Sequence, residues 1–387
     1  MNRHSGIGAL PYGIFSTPDE PHRRAGVALG DQIIDLPAAV RRLDPSLAAA
    51  VTGPTLDALL AAGPAVWSSL RASLITWVTD EAHRDLLPTV PAADAVMHLP
   101  FTVADYVDFY ASEQHATNLG RILRPGQEPL TANWKHLPIG YHGRAGTVVV
   151  SGTDIVRPSG LRPGAEFGAS QRLDIEAELG FVVGAPSTLG TPVPLADFDQ
   201  HVFGVCLVND WSARDIQAFE YVPLGPFLGK SFATSVSPWI VPLAALEHAR
   251  VPPPVRDVPL SAYLDDEKTP SWGLDVRLEI RLNGQVISTP TFEGMYWTPA
   301  QMLAHMTVNG AALRTGDLYA SGTISGGSPG SLIELSWNGQ EPLHLADGSA
   351  RAFLHDGDEV VISAVAPGEN GTLISLGEVS GRILGAR

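Results

Sequence analysis

The chain has 387 residues, room for two or three domains and for a sizeable core. Its 25 Lys and Arg stand against 41 Asp and Glu, a formal charge of −16, which argues against a surface built for nucleic-acid phosphates or anionic lipid. With 39 glycines and 32 prolines many turns and short strands are expected, short of low-complexity composition. The single cysteine, Cys206, sits in an apolar run and has no intramolecular partner, which points to a reducing compartment. No stretch matches the run of about 18 apolar residues that marks a membrane span, and residues 1–10 lack the apolar core of a signal peptide. A cytoplasmic globular protein is expected.

In chain order, apolar residues 27–29 and 33–36 flank Gly30-Asp31 and read as a hairpin. Val66, Leu70, Leu74 and Val78 recur every four residues, with Trp67 and Trp77 alongside, and predict an amphipathic helix. The Pro-rich stretch 88–100 breaks that pattern, and a domain boundary is expected near residue 100.

Residues 105–123 carry a helical pattern. In it Asp108 and His115, seven apart, share a face about two turns apart along the axis. A carboxylate at one end and an imidazole at the other fit a metal ligand beside a general base; an exposed helix histidine is the more ordinary alternative.

From 173 to 183, Leu173, Ile175, Ala177, Leu179, Phe181 and Val183 alternate with Asp174, Glu176, Glu178 and Gly180, the period of a strand. Glu176 and Glu178 then lie on one face with Cα atoms about 6.6 Å apart, close enough for both to reach one hard cation. A solvated outer strand face gives the same pattern. The apolar run 202–208 reads as a buried strand, and Asn209-Asp210 follows it. An acid just past a buried strand is well placed for a site, or for a helix cap or Asx turn. Ser212-x-x-Asp215 has the form of a capping box.

On the helix that follows, Arg214, Gln217 and Tyr221 are spaced i, i+3, i+7. They align a guanidinium, an amide and a phenol toward an oxygen-rich ligand, or form an ordinary polar face. The segment 225–231 departs from a phosphate loop: three residues separate its glycines instead of four, Pro226 removes a donor, and a helix precedes it. Lys230 is better read as a cation in an anionic pocket. Residues 331–337 read as a strand with Leu332, Glu334 and Ser336 on one side, after the Gly-rich segment 321–327. Glu334 is then either a surface residue or a carboxylate that orients a histidine. Residues 359–365 read as another strand. No zinc spacing occurs, and an all-carboxylate set points to calcium or magnesium.

Asp108-Phe109-Tyr110, Gln114-His115-Ala116-Thr117-Asn118, Gly140-Tyr141-His142-Gly143-Arg144, Asn209-Asp210-Trp211-Ser212-Ala213-Arg214-Asp215, Gly229-Lys230-Ser231 and Ser321-Gly322-Thr323-Ile324-Ser325-Gly326 resemble the fumarylacetoacetate hydrolase family. The likeness extends over nearly the whole chain and is weakest between about residues 38 and 95. It implies a mainly β fold with some α: a small SH3-like N-terminal β-barrel domain (1–100) and a larger C-terminal mixed β-roll catalytic domain (101–387), assembled as a homodimer.

Position by position, the resemblance implies Asp108, Glu176, Glu178 and Asp210 as ligands of an active-site divalent cation, calcium in the family, with magnesium able to serve. His115 corresponds to the general base and Glu334 to its partner, while Arg214, Gln217 and Lys230 stabilise the oxyanion and the leaving group. Tyr110, Arg124, Tyr141, Gln217, Tyr221 and Thr323 match substrate-contacting positions. A second, structural magnesium is implied near Asp210, Lys230 and Thr234, through main-chain oxygens of the latter two. The implied reaction is hydrolysis of a carbon–carbon bond in a dicarboxylic β-diketone, giving fumarate and acetoacetate at the end of tyrosine and phenylalanine breakdown. A related acylpyruvate or oxo-acid hydrolase, decarboxylase or isomerase uses the same acidic set, and a calcium-stabilised binding protein stands as the non-enzymatic alternative.

Overall fold

The computed structural model describes residues 7–267, 269 and 271–387. The expected lack of a leader over residues 1–10 therefore falls, at residues 1–6, outside the described residues. Strand β1 (Tyr12–Ser16) pairs antiparallel with β2 (Arg24–Leu29), and β2 with β3 (Gln32–Asp35). The β2–β3 hairpin closes with Leu29 opposite Gln32, and Gly30 adopts φ +62° in its turn, a conformation glycine reaches without a Cβ clash. Helix α1 (Leu36–Leu43) follows, started by the Asp35 carboxylate accepting the Ala38 N–H. Helix α2 (Pro64–Thr79) buries Leu70, Leu74 and Val78 of the predicted stripe, together with Trp77, while Val66 is only partly buried. The Pro-rich stretch does more than interrupt: it supplies β4 (Thr89–Pro91) against β3 and β5 (Val96–His98) against β1.

The sheet that begins here runs without a break into the rest of the chain. Its further strands include β6 (Asp105–Phe109), β7 (Gly140–His142), β8 (Ala177–Val183), β9 (Val202–Asp210), β10 (Trp239–Pro242) and β11 (Asp317–Ala320). The order is β4-β3-β2-β1-β10-β9-β8-β11-β6-β7, with Tyr12 facing Ile240 at the junction of the two halves. Every residue of β8 and β9 is buried, so the alternating acids of 173–183 lie inside the molecule rather than on a solvated face. Gly180 lets β8 enter: a Cβ there would stand 2.7 Å from a Val208 methyl carbon. A second, five-stranded sheet includes Arg277–Leu282, Glu359–Pro367 and Leu373–Leu384. The strand expected at 359–365 is present there, and Val360, Ile362, Ala364 and Ala366 point into the core.

Two predicted elements are corrected. Residues 105–123 are not one helix: 105–109 form β6, held between β11 and β7, and helix α3 (Glu113–Leu123) starts only after Ser112 caps it. Tyr106, Val107 and Phe109 suit a strand, and pairing on both sides overrides the helical spacing. Residues 331–337 are not a strand: 332–335 form one short helical turn, and Asn338, at φ +57°, returns its N–H to the Ile333 carbonyl at 2.7 Å. Among the described residues no helix is long and apolar enough to cross a membrane.

Candidate active site

Four carboxylates converge where β6, β8 and β9 lie in one sheet. Asp108 sits in β6 opposite Tyr141. Glu178 lies in β8 opposite Val208, and Glu176 stands two residues earlier. Asp210 closes β9, its N–H on the Glu176 carbonyl at 3.1 Å. One oxygen from each of Asp108, Glu176, Glu178 and Asp210 lies within 4.8 Å of the others, and all four residues are buried.

The four differ in what satisfies them. Burial, then Asp210, pushes the Asp108 carboxyl well up; burial, then Asp108 and Glu176, does the same to Glu178. Burial also raises Asp210, although Lys230 opposes it. Burial would raise Glu176 too, but Lys230 and Arg214 outweigh it and hold that carboxyl well below the usual range. Lys230 Nζ reaches Asp210 Oδ2 at 2.8 Å and also donates to Glu176, while Arg214 Nη2 lies 2.7 Å from Glu176 Oε1. By contrast, both oxygens of Glu178 and Oδ1 of Asp108 are buried without a hydrogen-bond partner. A buried carboxylate left in that state costs several kcal/mol. Lys230 and Arg214, the latter shared with the buried Asp174, bring two positive charges to a larger number of carboxylates, an excess that a divalent cation would offset. The residues present therefore fit a hard dication with oxygen ligands, calcium or magnesium.

Beside this set, His115 occupies the first turn of α3, its N–H on the Ser112 cap hydroxyl at 3.2 Å. Its Nδ1 lies 2.6 Å from Glu334 Oε2 and its Nε2 3.9 Å from Glu176 Oε1. An ionised carboxylate only accepts, so Nδ1 carries the proton and Nε2 is left toward the acids. Glu334 also accepts from Asn118 Nδ2 at 2.9 Å and from the Ser325 and Ser331 hydroxyls at 2.8 Å each. Burial alone would raise Glu334, but His115, Asn118 and Ser331 bring it down to about 2.

Against known proteins, the model of the fumarylacetoacetate (FAA) hydrolase C-terminal region matches residues 105–383, and that of the fumarylacetoacetase N-terminal region matches residues 8–100. The chain belongs to the fumarylacetoacetate hydrolase family. It is 46% identical to the Homo sapiens fumarylacetoacetase over 97% of this chain and 95% of that one. It is 41% identical to the Arabidopsis thaliana fumarylacetoacetase over 98% and 96%. Among solved structures, the fumarylacetoacetate hydrolase of Exiguobacterium antarcticum superposes with a TM-score of 0.57 at 18% identity, covering 97% and 99% of the two chains. A maleylpyruvate hydrolase from Sphingobium sp. SYK-6, solved with manganese(II) and pyruvate, gives 0.54 at 16%, covering 97% and 100%. These likenesses show the fold.

The residues expected at a hydrolase site of this family fall into three groups. Asp108, Glu176, Glu178, Asp210, Lys230, Arg214, His115 and Glu334 are joined by the contacts above, although Asp108 and His115 come from a strand and a helix rather than from one helix face. Thr234 joins them, its hydroxyl donating to Asp210 Oδ1 at 2.6 Å. Gln217 and Tyr221 line a cleft of about 410 Å³ that Arg214, Arg172 and Arg162 also line; the link between this cleft and the carboxylates is the buried Arg214, which contacts Glu176. Gln217 Oε1 accepts from Arg214 Nη1 at 3.1 Å, as the i, i+3 spacing predicts.

The remaining expected residues lie outside that cleft. The Tyr141 hydroxyl is 3.3 Å from Asp210 Oδ2, and Tyr110 packs edge-on to His115 with ring centroids 5.4 Å apart. Thr323 is buried with its hydroxyl unpartnered. It follows Gly322, whose φ of +75° and 2.2 Å approach to the Phe109 carbonyl oxygen, measured from an added Cβ, leave room only for glycine. Arg124 turns its Nη2 to the Pro129 carbonyl at 2.8 Å. The capping box at 212–215 does not form: the helix Arg214–Glu220 has no side-chain cap, and Asp215 instead accepts from Ser170 and Gln171.

Several residues of the site escape sequence reasoning. Asn118 carried a signal, one turn beyond His115. So did Tyr106, which stands two residues before Asp108 and so on the same face of β6, and has a buried, unpartnered hydroxyl. Ser325 and Ser331 carried none.

Proposed function

We propose that the chain hydrolyses the carbon–carbon bond of fumarylacetoacetate to fumarate and acetoacetate, the last step of tyrosine and phenylalanine catabolism. The observation that carries this reading is the buried set of four carboxylates with unpartnered oxygens, set against a histidine already fixed by Glu334. The full-length likeness to fumarylacetoacetases supports the choice of substrate.

Water must become nucleophilic, and a carbon leaving group must carry negative charge. His115, its Nδ1–H held by Glu334, takes a proton from water at Nε2, and the resulting hydroxide attacks the carbonyl next to the fumaryl part. Arg214, Gln217 and Lys230 donate to the tetrahedral oxyanion, contacts whose loss costs about 2.7–4 kcal/mol each. When bound, a calcium or magnesium ion held by Asp108, Glu176, Glu178 and Asp210 supplies Lewis acidity toward the diketone oxygens. As the bond breaks, its electron pair leaves with the acetoacetate part, and the proton held by His115 is at hand to quench it. Arg124, with Tyr110, Tyr141, Tyr221 and Thr323, grips the substrate and its carboxylates.

The same reading places a structural magnesium near Asp210, Lys230 and Thr234. The Lys230 and Thr234 side chains already donate to Asp210, so main-chain oxygens serve there. It also assigns an SH3-like barrel to 1–100, a β-roll to 101–387, a homodimer and a cytoplasmic location. The gap between the two family matches at residues 100 and 105 supports the boundary, and the lone buried Cys206 supports a reducing compartment.

The test is the decay of diketone absorbance with and without chelator. Chelation is expected to stop turnover, and added calcium or magnesium to restore it. A rate indifferent to chelator would overturn the role of the cation. No decay with fresh substrate and either ion would overturn the reaction.

A further inference from the structure

One further buried carboxylate, Asp174, belongs to none of the groups described above. Asp174 is fully buried, and four N–H groups converge on it. Arg214 Nε reaches Oδ2 at 2.8 Å, and the Ile333 N–H reaches the same oxygen at 3.1 Å. The N–H groups of Leu332 and Ile175 each reach Oδ1 at 2.7 Å.

Leu332 and Ile333 open the short helical turn that carries Glu334. The first N–H groups of a helix have no partner within it and are usually met by the residue just before it. Here that residue, Ser331, makes no cap bond and turns its hydroxyl to Glu334 instead. A carboxylate 158 residues away in sequence takes over the cap. Its negative charge suits the positive end of the turn, and the same group clamps the guanidinium of Arg214. With Nε fixed on Asp174, the two remaining nitrogens of Arg214 are aimed at Glu176 and Gln217.

We infer that Asp174 is a positioning residue that locks the two arms of the site in register, the Arg214 arm on one side and the Glu334–His115 arm on the other. The inference rests on the roles proposed for those two arms. Fully buried, Asp174 acts only through those two arms. All four of its partners are donors, two on each oxygen, so Asp174→Asn, although isosteric, must set an amide NH2 against two of them, either the N–H groups of Leu332 and Ile175 or those of Arg214 and Ile333, and in both cases the turn that carries Glu334 loses a cap bond.

The experiment is steady-state hydrolysis by Asp174→Asn, normalised to calcium bound per chain by calorimetry. The expected result is a kcat lowered about 10- to 100-fold, the usual cost of losing a group that orients a first-shell residue. KM should change less than threefold, and calcium affinity should stay at the native value. Asp174→Glu, which keeps the charge, should recover part of kcat. A merely structural role would lower the melting temperature and the fraction of chains that bind calcium but leave kcat per calcium-loaded chain unchanged, and that result would overturn the inference. Absence of calcium-dependent hydrolysis in the native chain would instead remove the function on which it rests.

Should Asp174→Asn yield no folded protein, hydrogen exchange in Arg214→Lys gives an independent reading. Release of the clamp at Arg214 should speed exchange at the Leu332 and Ile333 amides. Unchanged protection there would show that the two arms are not linked through Asp174.

Discussion

Glu334 and Glu178 are buried glutamates of one site, and they are opposites. Glu334 is ringed by donors from His115, Asn118, Ser325 and Ser331 and is held down to about 2, while Glu178 has no donor on either oxygen and is pushed up by burial and by Asp108. A folded chain seldom leaves buried polar atoms unmet. Where it satisfies a carboxylate fully, the charge is a fixture that orients something else. Where it withholds every donor, the carboxylate is left open to a partner from outside the chain, such as a cation. The first half of the site is thus complete as folded, and the second half is a buried acidic cluster that suits a metal ion.

Substitutions in the two halves should therefore fail differently. The largest loss is expected at His115→Ala, with kcat falling by about 10²–10⁴-fold, the usual contribution of a general base, while calorimetric cation affinity stays native. Unimpaired hydrolysis by that variant would reject the base. Glu178→Gln is expected to weaken cation binding by at least about 10-fold, since an amide keeps the shape but loses the charge that a hard dication prefers. In His115→Ala and Glu178→Gln, affinity and turnover should therefore separate. Native affinity in Glu178→Gln would remove it from the ligand set.

The two halves also differ in how far they could be read from sequence. Glu176 and Glu178 were legible because strand periodicity is local, and Asp210 because it ends an apolar run; what stayed hidden was that both faces of that strand are covered. The His115–Glu334 bond joins residues 219 apart in sequence, and no local pattern encodes it. The same limit explains the misread elements. Residues 332–335 turn into helix because Asp174 supplies their cap from another strand. Residues 105–109 extend because β11 and β7 pair with them on both sides. In each case a distant partner outweighed the local spacing. The fold was legible as strand-rich with a helix at 64–79, yet nothing in the sequence announced that β1 and β10 would fuse the two halves into one sheet.

The smallest effect concerns stability and isolates the satisfied half. Because the folded Glu334 carboxyl sits at about 2, below its ordinary 4.5, the unfolded chain binds a proton more readily than the folded one, and stability rises with pH across that interval. The Glu334 contribution is therefore fully present above about pH 4.5 and lost as pH falls through about 2. Hydrogen bonds to a charged group are worth about 1.5–3 kcal/mol net, so Glu334→Gln should melt below the native protein near neutrality. The gap between the two melting temperatures should close as pH is lowered from about 4.5 toward 2. Chelated samples of both proteins keep the cation out of the difference. A gap that stays constant through the acid range would mean that Glu334 gains nothing from its four donors when ionised, and the contrast with Glu178 would then lose its physical basis.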